Sequence, residues 1–218
     1  MHLYSKKLIL SLLLFSSLLI PIASSNPSIG INYSQHPASD LRHPDRNVST
    51  VRSLGVSHVR VLDPDPDIVH PFSNSGISIL SIPNTFIHAI AANRTEAIKW
   101  LYSHVVPFYP RAHITAISVG NDVLTSFPEL STSLLSAIWN VYLALQELGI
   151  RNISVSTAHS FDVITSPFPP SAAEFQEPIT GSIMKPLLNF LSTTNSPFLI
   201  NAYPYDLYRK YPDILIGR

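Results

Sequence analysis

Cysteine is absent from the 218 residues, which excludes disulfide bonds, thiolate zinc sites and cysteine nucleophiles. The chain also lacks an excess of either charge, because 14 basic side chains balance 14 acidic ones. A surface for nucleic acid or an anionic membrane needs a basic surplus, so neither partner is predicted. Hydrophobic residues make up 45% of the chain, enough for a sizeable core, and the length indicates one domain or part of a larger one.

Several catalytic and ligand-binding motifs are also missing. There is no G-x-S-x-G elbow of a serine hydrolase, and the nine histidines form no H-E-x-x-H pair. The aspartates of residues 63–67 alternate with prolines and lack the fuller oxygen set that calcium needs. Residues 33–39, after the first predicted strand, contain no glycine for a phosphate-binding loop. We therefore expect no metal and no cofactor.

Residues 1–25 have the pattern of a signal peptide. Lys6 and Lys7 are basic, Leu8–Ala23 is apolar apart from serines and a proline, and small residues follow. This order predicts secretion and cleavage after Ser25. A membrane anchor is the alternative, but the apolar run is interrupted and short for a span of about 20 residues.

N-x-S/T sequons can be glycosylated in a secreted protein. We expect glycosylation at Asn47, Asn93 and Asn152. A fourth sequon, at Asn32, lies inside an apolar strand pattern, and we expect it to stay unmodified.

Short apolar segments alternate with helical patterns six times. The predicted strands are Ser28–Tyr33, Val56–Leu62, Ile77–Ile82, Ile114–Val119, Ile153–Ser156 and Phe198–Ala202. The helical patterns contain Val48, Val51 and Leu54; Ile68–Phe72; Ile98, Leu101, Tyr102 and Val105; Leu134, Leu135, Ile138, Val141, Tyr142, Leu145 and Leu148; and Met184–Leu191. The stretch Ser166–Pro178 is predicted to be irregular, and Tyr203–Arg218 to be a loop. Alternation predicts a parallel α/β sheet, either open or closed into a barrel.

The stretch Ile114–Leu124 carries the strongest local signal for a site. Its apolar, β-branched segment ends at Gly120, and Asn121 and Asp122 follow at once. A buried parallel strand that carries functional polar side chains at its carboxyl end has this pattern. Barrel enzymes place catalytic groups at this end of their strands. An ordinary strand leading into an Asn-Asp turn is the alternative interpretation.

Four motifs together resemble the plant glucan endo-1,3-β-glucosidases of glycoside hydrolase family 17. They are IGINY near the start, VRVLDPDP at 59–66, ISVGNDV at 117–123 and NAYPYDLY at 201–208, and residues 154–175 also match. The resemblance covers the chain from Ser28 onward and implies a (β/α)8 TIM barrel, of which about the first six β/α units are present. We expect the first and sixth strands to have unpaired edges, and the 26–218 domain to be poorly stable alone.

The resemblance implies retaining hydrolysis of β-1,3-glucan by a proton-donating carboxylate and a nucleophilic carboxylate about 5–5.5 Å apart. The family's acid/base glutamate falls on Asp122, and the preceding asparagine, which bonds the sugar hydroxyl beside the reacting carbon in related barrels, falls on Asn121. Asp122 is one methylene shorter than glutamate, so its reach is reduced, and general acid catalysis contributes about 10²–10⁴-fold. Neither tryptophan has the Glu-x-Gly-Trp-Pro context of the family's nucleophile, which we expect to be absent.

Further substrate contacts are implied at the carboxyl ends of strands, namely Tyr33, Asn84, Tyr203 and Tyr205. A tyrosine ring can stack on a sugar while its hydroxyl bonds a sugar hydroxyl. Packing of the barrel rim is the alternative role for these tyrosines, and for Phe161 and Phe168 it is the role we expect.

Two function hypotheses follow. The first is an endo-1,3-β-glucosidase that acts on callose- or laminarin-type glucan in the extracellular space or cell wall, as a monomer when full length. We expect the 218-residue chain itself to be inactive under this hypothesis, because a retaining mechanism without its nucleophile has no covalent step. The second is a non-catalytic or weakly glucan-binding pseudoenzyme, or a truncated gene product.

Overall fold

Six parallel strands form one sheet, in which they lie side by side in chain order. The computed structural model describes residues 29–34, 44–62, 64–72, 77–165, 169–177 and 179–210. The six strands are β1 (Gly30–Tyr33), β2 (His58–Val61), β3 (Ile77–Ile82), β4 (Ala116–Asn121), β5 (Ser154–Ser160) and β8 (Leu199–Asn201), and a separate antiparallel pair is formed by β6 (Ile164–Thr165) and β7 (Glu174–Phe175).

Eight helices connect and cover these strands within the described residues. They are α1 (Pro44–Ser53), α2 (Pro66–Val69), α3 (Ile87–Ala92), α4 (Arg94–His104), α5 (Val123–Ser126), α6 (Ser131–Glu147), α7 (Lys185–Thr194) and α8 (Pro204–Lys210). In this part of the chain, no helix combines the length and apolar character needed to cross a bilayer.

The two faces of the sheet differ in polarity. On the inner face, Ser81, Ser118 and Ser156 lie side by side across β3, β4 and β5, and all three are buried. The residues between them along the strands, such as Ile117 and Val155, belong to the apolar core that the helices cover. Because strand residues alternate between faces, the central strands β3, β4 and β5 place these serines on the inner face and residues such as Ile117 and Val155 on the face covered by helices.

Helix α6 is the main cover of the sheet and packs against β4 and β5. Its buried residues recur at helical spacing and include the predicted Leu134, Ile138, Val141 and Leu145. Ala137 and Ala144 are also buried, and the predicted Leu135, Tyr142 and Leu148 are partly buried against the core. Helices α3 and α4 also pack against α6. Helix α6 therefore contacts both the sheet and these two neighbouring helices.

The order of six parallel strands with intervening helices confirms the predicted α/β class, and several boundaries are corrected. Leu54 is not on the buried face of α1, because the helix ends one residue earlier and leaves Leu54 61% exposed. Tyr102 is 56% exposed, because the buried stripe of α4 runs through Ala97, Trp100 and Leu101 instead. Strand β5 continues to Ser160, beyond the predicted end at Ser156.

Two segments interpreted as irregular contain regular structure. Residues 204–210 of the predicted loop Tyr203–Arg218 form α8, whose first turn contains an acidic residue, as helices favour. Within the predicted irregular stretch Ser166–Pro178, β7 pairs with β6. The sequence analysis also did not predict α3, which is only six residues long. The predicted signal peptide, residues 1–25, lies outside the described residues.

A buried histidine lies between the sheet and its cover. His159 of β5 is 1% exposed, its ring stacks on Phe198 with centroids 5.2 Å apart, and its Nε2 has no hydrogen-bond partner within the described part of the chain. Burial lowers the pKa of His159 from 6.5 to about 4, because the charged imidazolium loses its hydration.

His159 makes the stability of the fold depend on pH. The unfolded chain takes up this proton near pH 6.5 and the folded chain only near pH 4, so stability is lost as pH falls through this window. Between pH 7 and pH 5 we expect the group to lower the free energy of unfolding by about 2 kcal/mol. Urea denaturation at both pH values measures the free energy of unfolding for the wild type and for His159→Leu. The variant should lack the decrease that His159 contributes between pH 7 and pH 5.

The exposed His113 provides the control. His113→Gln controls for the replacement of a histidine at a site outside the core. An equal loss of stability in His159→Leu and in the wild type would contradict the assignment.

Candidate functional site

Polar side chains from four strands meet at the carboxyl edge of the sheet. Arg60 comes from β2, Ser81 from β3, Asn121 from the last position of β4, and Asn201 from the last position of β8. Asp122 follows Asn121 directly. Because parallel strands end at the same edge, residues far apart in the sequence become neighbours here.

The guanidinium of Arg60 bonds to three of these residues. Its Nη2 donates to Asn121 Oδ1 at 2.9 Å, its Nε to Ser81 Oγ at 3.2 Å, and its Nη1 to Asn201 Oδ1 at 3.4 Å. Burial lowers the pKa of Arg60 below its ordinary value, while neighbouring Tyr203 and Asp122 act in the opposite direction. An arginine remains charged at neutral pH, so the inner face carries a fixed positive charge.

The two amides connect Arg60 to Asp122. Asn121 Nδ2 donates to Asp122 Oδ2 at 2.9 Å, and Asn201 Nδ2 donates to Asp122 Oδ1 at 2.9 Å and to Asn121 Oδ1 at 3.1 Å. Both carboxylate oxygens of Asp122 therefore accept amide hydrogens. We call Arg60, Asn121, Asp122 and Asn201 the edge network.

The backbone around Asn121 is held in an uncommon conformation. Gly120 has φ +72° and Asp122 has φ +51°, both in the left-handed region. The side chain of Asn84 bonds the backbone of Asn121 on both sides, with N–H to Oδ1 at 2.8 Å and Nδ2 to C=O at 3.0 Å. The Asp122 N–H donates to the Ala158 carbonyl at 2.8 Å. These bonds stabilise a turn that keeps both side chains at the edge.

Two hollows flank the edge network. One, of about 300 Å³, is lined by residues that include Asn84, Asn121, Asp122 and Phe127. The other, of about 220 Å³, is lined by residues that include Phe161, Asn201 and Tyr203. Each hollow thus combines hydrogen-bonding groups with an aromatic ring, which is the combination that sugars require.

The predicted site residues differ in their placement. Asn121 and Asp122 lie together in the network, and Tyr203 lines the second hollow at 56% exposure. Tyr205 is exposed, with the Arg209 guanidinium 6.0 Å from its ring centroid. Tyr33 is half-buried and packs edge-on against Phe72, with centroids 5.0 Å apart.

Asn84 and the two phenylalanines complete the predicted set. Both polar ends of Asn84 are engaged by the Asn121 backbone, so its amide holds the turn in place. Phe161 is half-buried and lines a hollow, and Phe168 lies outside the described residues. The substrate-contact roles of this set stay predictions.

Arg60 and Asn201 were not among the predicted site residues. Both stand in motifs that carry the family resemblance, VRVL and NAYPY, and each places a polar side chain on an apolar strand. A charged residue inside such a strand was the available signal for Arg60. Among the described residues, no group of three His, Asp or Glu side chains could hold a metal ion.

Two predicted glycosylation residues are exposed. Asn93 caps α4, with its Oδ1 accepting the Thr95 N–H at 2.9 Å, and Asn152 Oδ1 accepts the Tyr109 hydroxyl at 2.9 Å. Asn47 lies within α1. Glycosylation of these residues stays a prediction.

The sheet, its outer helices and the polar carboxyl edge define the (β/α)8 barrel type, here with six β/α units. The pattern of Glycosyl hydrolases family 17 matches residues 29–214, and the chain belongs to this family. This confirms the resemblance inferred from the four motifs.

Curated relatives agree with this assignment. Glucan endo-1,3-beta-glucosidase 11 of Arabidopsis thaliana is 39% identical over 204 residues, which are 92% of this chain and 47% of that protein. Glucan endo-1,3-beta-D-glucosidase of Olea europaea is 36% identical over 193 residues, which are 87% of this chain and 42% of that protein. The chain thus spans about half the length of the curated relatives it matches or less.

Solved structures show the same fold. A β-1,3-glucanase and allergen of Cryptomeria japonica pollen superposes with a TM-score of 0.80 at 33% identity, covering 86% of this chain and 59% of that one. A structure of plant β-glucan endohydrolases with distinct substrate specificities gives 0.77 at 29% identity, covering 86% and 60%.

The turn at Gly120 can be tested by substitution. A Cβ there would lie 2.7 Å from Val123, 2.8 Å from Ile87 and 2.9 Å from Asn84. We expect Gly120→Ala to destabilise the fold by about 2–5 kcal/mol, because a left-handed conformation costs about 1–2 kcal/mol and overpacking about 1–3 kcal/mol. Urea denaturation measures the difference from the wild type.

Gly149 is a matched control. Its φ is +74°, but a Cβ there would meet nothing within 4 Å. Gly149→Ala should therefore show the conformational cost alone, about 1–2 kcal/mol. Equal losses in the two variants would contradict the close packing inferred around Gly120.

Proposed function

We propose that the chain binds β-1,3-glucan across the two hollows and contributes to its hydrolysis, with Asp122 as a weak proton donor. The edge network between the hollows is the observation that carries this proposal, because it presents amides and a carboxylate beside exposed aromatic rings. The names of the relatives, which are glucan endo-1,3-β-glucosidases, support the choice of glucan.

The weakness of the proton donor follows from two features of Asp122. The side chain is one methylene shorter than the family's glutamate, and both of its oxygens already accept amide hydrogens. A proton donor has to reach the leaving oxygen within hydrogen-bond distance. The network instead holds the carboxylate back at the edge of the sheet.

The same contacts favour a second candidate, a non-catalytic glucan-binding relative. In that case Asp122 is only a structural acceptor for the two amides. The alternatives differ in whether residue 122 transfers a proton, so they can be separated by experiment.

We further propose secretion to the extracellular space or cell wall. The basic and apolar pattern of residues 1–25 supports this, as do the exposed sequon asparagines Asn93 and Asn152. The removal of residues 1–25 from the mature protein, together with a mass loss on enzymatic deglycosylation, would test the proposal.

The binding proposal predicts a role for Tyr203. Tyr203→Ala should weaken binding of a β-1,3-linked glucose oligomer about tenfold, because it removes a stacking ring and a hydroxyl. Isothermal titration calorimetry measures the affinity, with a β-1,4-linked oligomer of equal length as the ligand control.

Tyr102 is the matched control site, because it is also 56% exposed but lies on helix α4, away from the hollows. Tyr102→Ala should bind the oligomer as the wild type does. Unchanged binding in Tyr203→Ala would remove Tyr203 from the site.

The proton-donor proposal predicts a gain for Asp122→Glu. Azide supplied in solution serves as the nucleophile: it attacks the anomeric carbon, and the glycosidic oxygen leaves with the proton from residue 122. We expect Asp122→Glu to cleave a β-1,3-linked oligomer at least about tenfold faster than the wild type, and Asp122→Asn to show only background. Cleavage is followed by chromatography of the products.

The outcomes separate the two candidates. Binding without any azide-dependent cleavage, in the wild type and in Asp122→Glu, would favour the non-catalytic relative. Cleavage that is equally fast in Asp122→Glu and in the wild type would contradict the limited reach of Asp122.

A further inference from the structure

The edge network has ends of opposite hydrogen-bonding character. A guanidinium carries only donors, and an ionised carboxylate carries only acceptors. Between Arg60 and Asp122 lie the amides of Asn121 and Asn201, each of which can donate at one end and accept at the other. The direction of every bond in the network is therefore determined by its two ends.

Asn121 can adopt only one orientation in this arrangement. Its Oδ1 lies 2.9 Å from Arg60 Nη2, and its Nδ2 lies 2.9 Å from Asp122 Oδ2. A half-turn of the amide would bring nitrogen against the guanidinium and oxygen against the carboxylate. Both contacts would become repulsive, so the amide is fixed from both sides.

Asn201 is oriented by the same two ends. Its Nδ2 lies 2.9 Å from Asp122 Oδ1 and 3.1 Å from Asn121 Oδ1, and its Oδ1 lies 3.4 Å from Arg60 Nη1. Rotation would place its oxygen against two other oxygens. Arg60 is itself anchored to Ser81 through Nε at 3.2 Å, which fixes the plane of its donors.

Each amide keeps one hydrogen-bonding position that the network does not use among the described residues. Asn121 Oδ1 already accepts from Arg60 and from Asn201, which uses both of its lone pairs, and one of its two Nδ2 hydrogens goes to Asp122. Within the described residues, one amide hydrogen of Asn121 is left. Both Nδ2 hydrogens of Asn201 are used, and its Oδ1 keeps one lone pair toward this part of the chain.

We infer that Arg60 is a positioning residue that fixes Asn121 as a donor and Asn201 as an acceptor toward a bound ligand. The identity of the ligand as glucan rests on the proposed function; the orientation of the amides does not. A sugar hydroxyl that lies over Asn121 has to accept, and one that lies over Asn201 has to donate. The network thereby specifies which hydroxyls fit each position.

The orientation predicts a hydrogen-exchange pattern in the protein without ligand. Of the four side-chain amide hydrogens of Asn121 and Asn201, three should exchange slowly with water and one, on Asn121, should exchange fast. NMR of the full chain labelled with ¹⁵N-asparagine measures the four rates, and single asparagine substitutions assign the signals.

Two Arg60 variants test the role of the guanidinium. Glutamine can accept as well as donate, whereas lysine only donates. In Arg60→Gln we expect the three slow hydrogens to exchange about tenfold faster, as for the loss of one hydrogen bond to a charged group. In Arg60→Lys we expect the wild-type pattern and rates within about threefold of it, because the donor is retained. Backbone amide protection in β4 and β5 reports whether each variant is folded.

The outcomes are decisive in each case. A fast hydrogen on Asn201, or two slow ones on Asn121, in the wild type would overturn the inference. So would unchanged rates in a folded Arg60→Gln, or a changed pattern in a folded Arg60→Lys. If Arg60→Gln does not fold, the wild-type pattern and Arg60→Lys decide. Absence of glucan binding would count against the proposed function alone, since no ligand is present in this experiment.

Discussion

The hydrogen-bond path from Arg60 through two amides to Asp122 joins strands that the chain reaches far apart. Asn121 and Arg60 are separated by 61 residues, and Arg60 and Asn201 by 141. The path forms only when β2, β4 and β8 end at the same edge of the sheet. The left-handed backbone at Gly120 and Asp122 serves this constraint, because it turns the end of β4 so that both polar side chains of Asn121 and Asp122 face the path.

Much of the fold was predictable because buried residues are apolar and recur along the sequence at the spacing of a helix or a strand. Strand β3 was predicted with its observed bounds, and the stripe of α6 was predicted from residues three and four apart. The position of Asn121 and Asp122 at the carboxyl end of β4 was also predictable, because a polar pair directly after a buried β-branched strand can be recognised from neighbouring residues alone. The family resemblance then added the barrel type, which the comparisons confirmed.

The rest of the site could not be predicted because its determinants are not local. Arg60 and Asn201 form hydrogen bonds with residues on other strands, including partners 61 and 141 positions away in the sequence. A short stretch of sequence around either residue therefore does not reveal its role in the site. The bonds from the Asn84 amide to the backbone of Asn121 likewise join residues 37 positions apart, and the predicted substrate contact of Asn84 stays a prediction. The exposure of Tyr102 depends on where neighbouring helices pack, which propensity does not encode.

Binding of glucan by the edge network and its two hollows can be measured by NMR of the labelled chain during titration with a β-1,3-linked glucose oligomer. We expect the side-chain signals of Asn121 and Asn201 and the backbone signal of Tyr203 to shift together, with one dissociation constant. Shifts confined to the outer helices, such as around the exposed Trp139 of α6, with an unchanged network, would contradict binding at this edge.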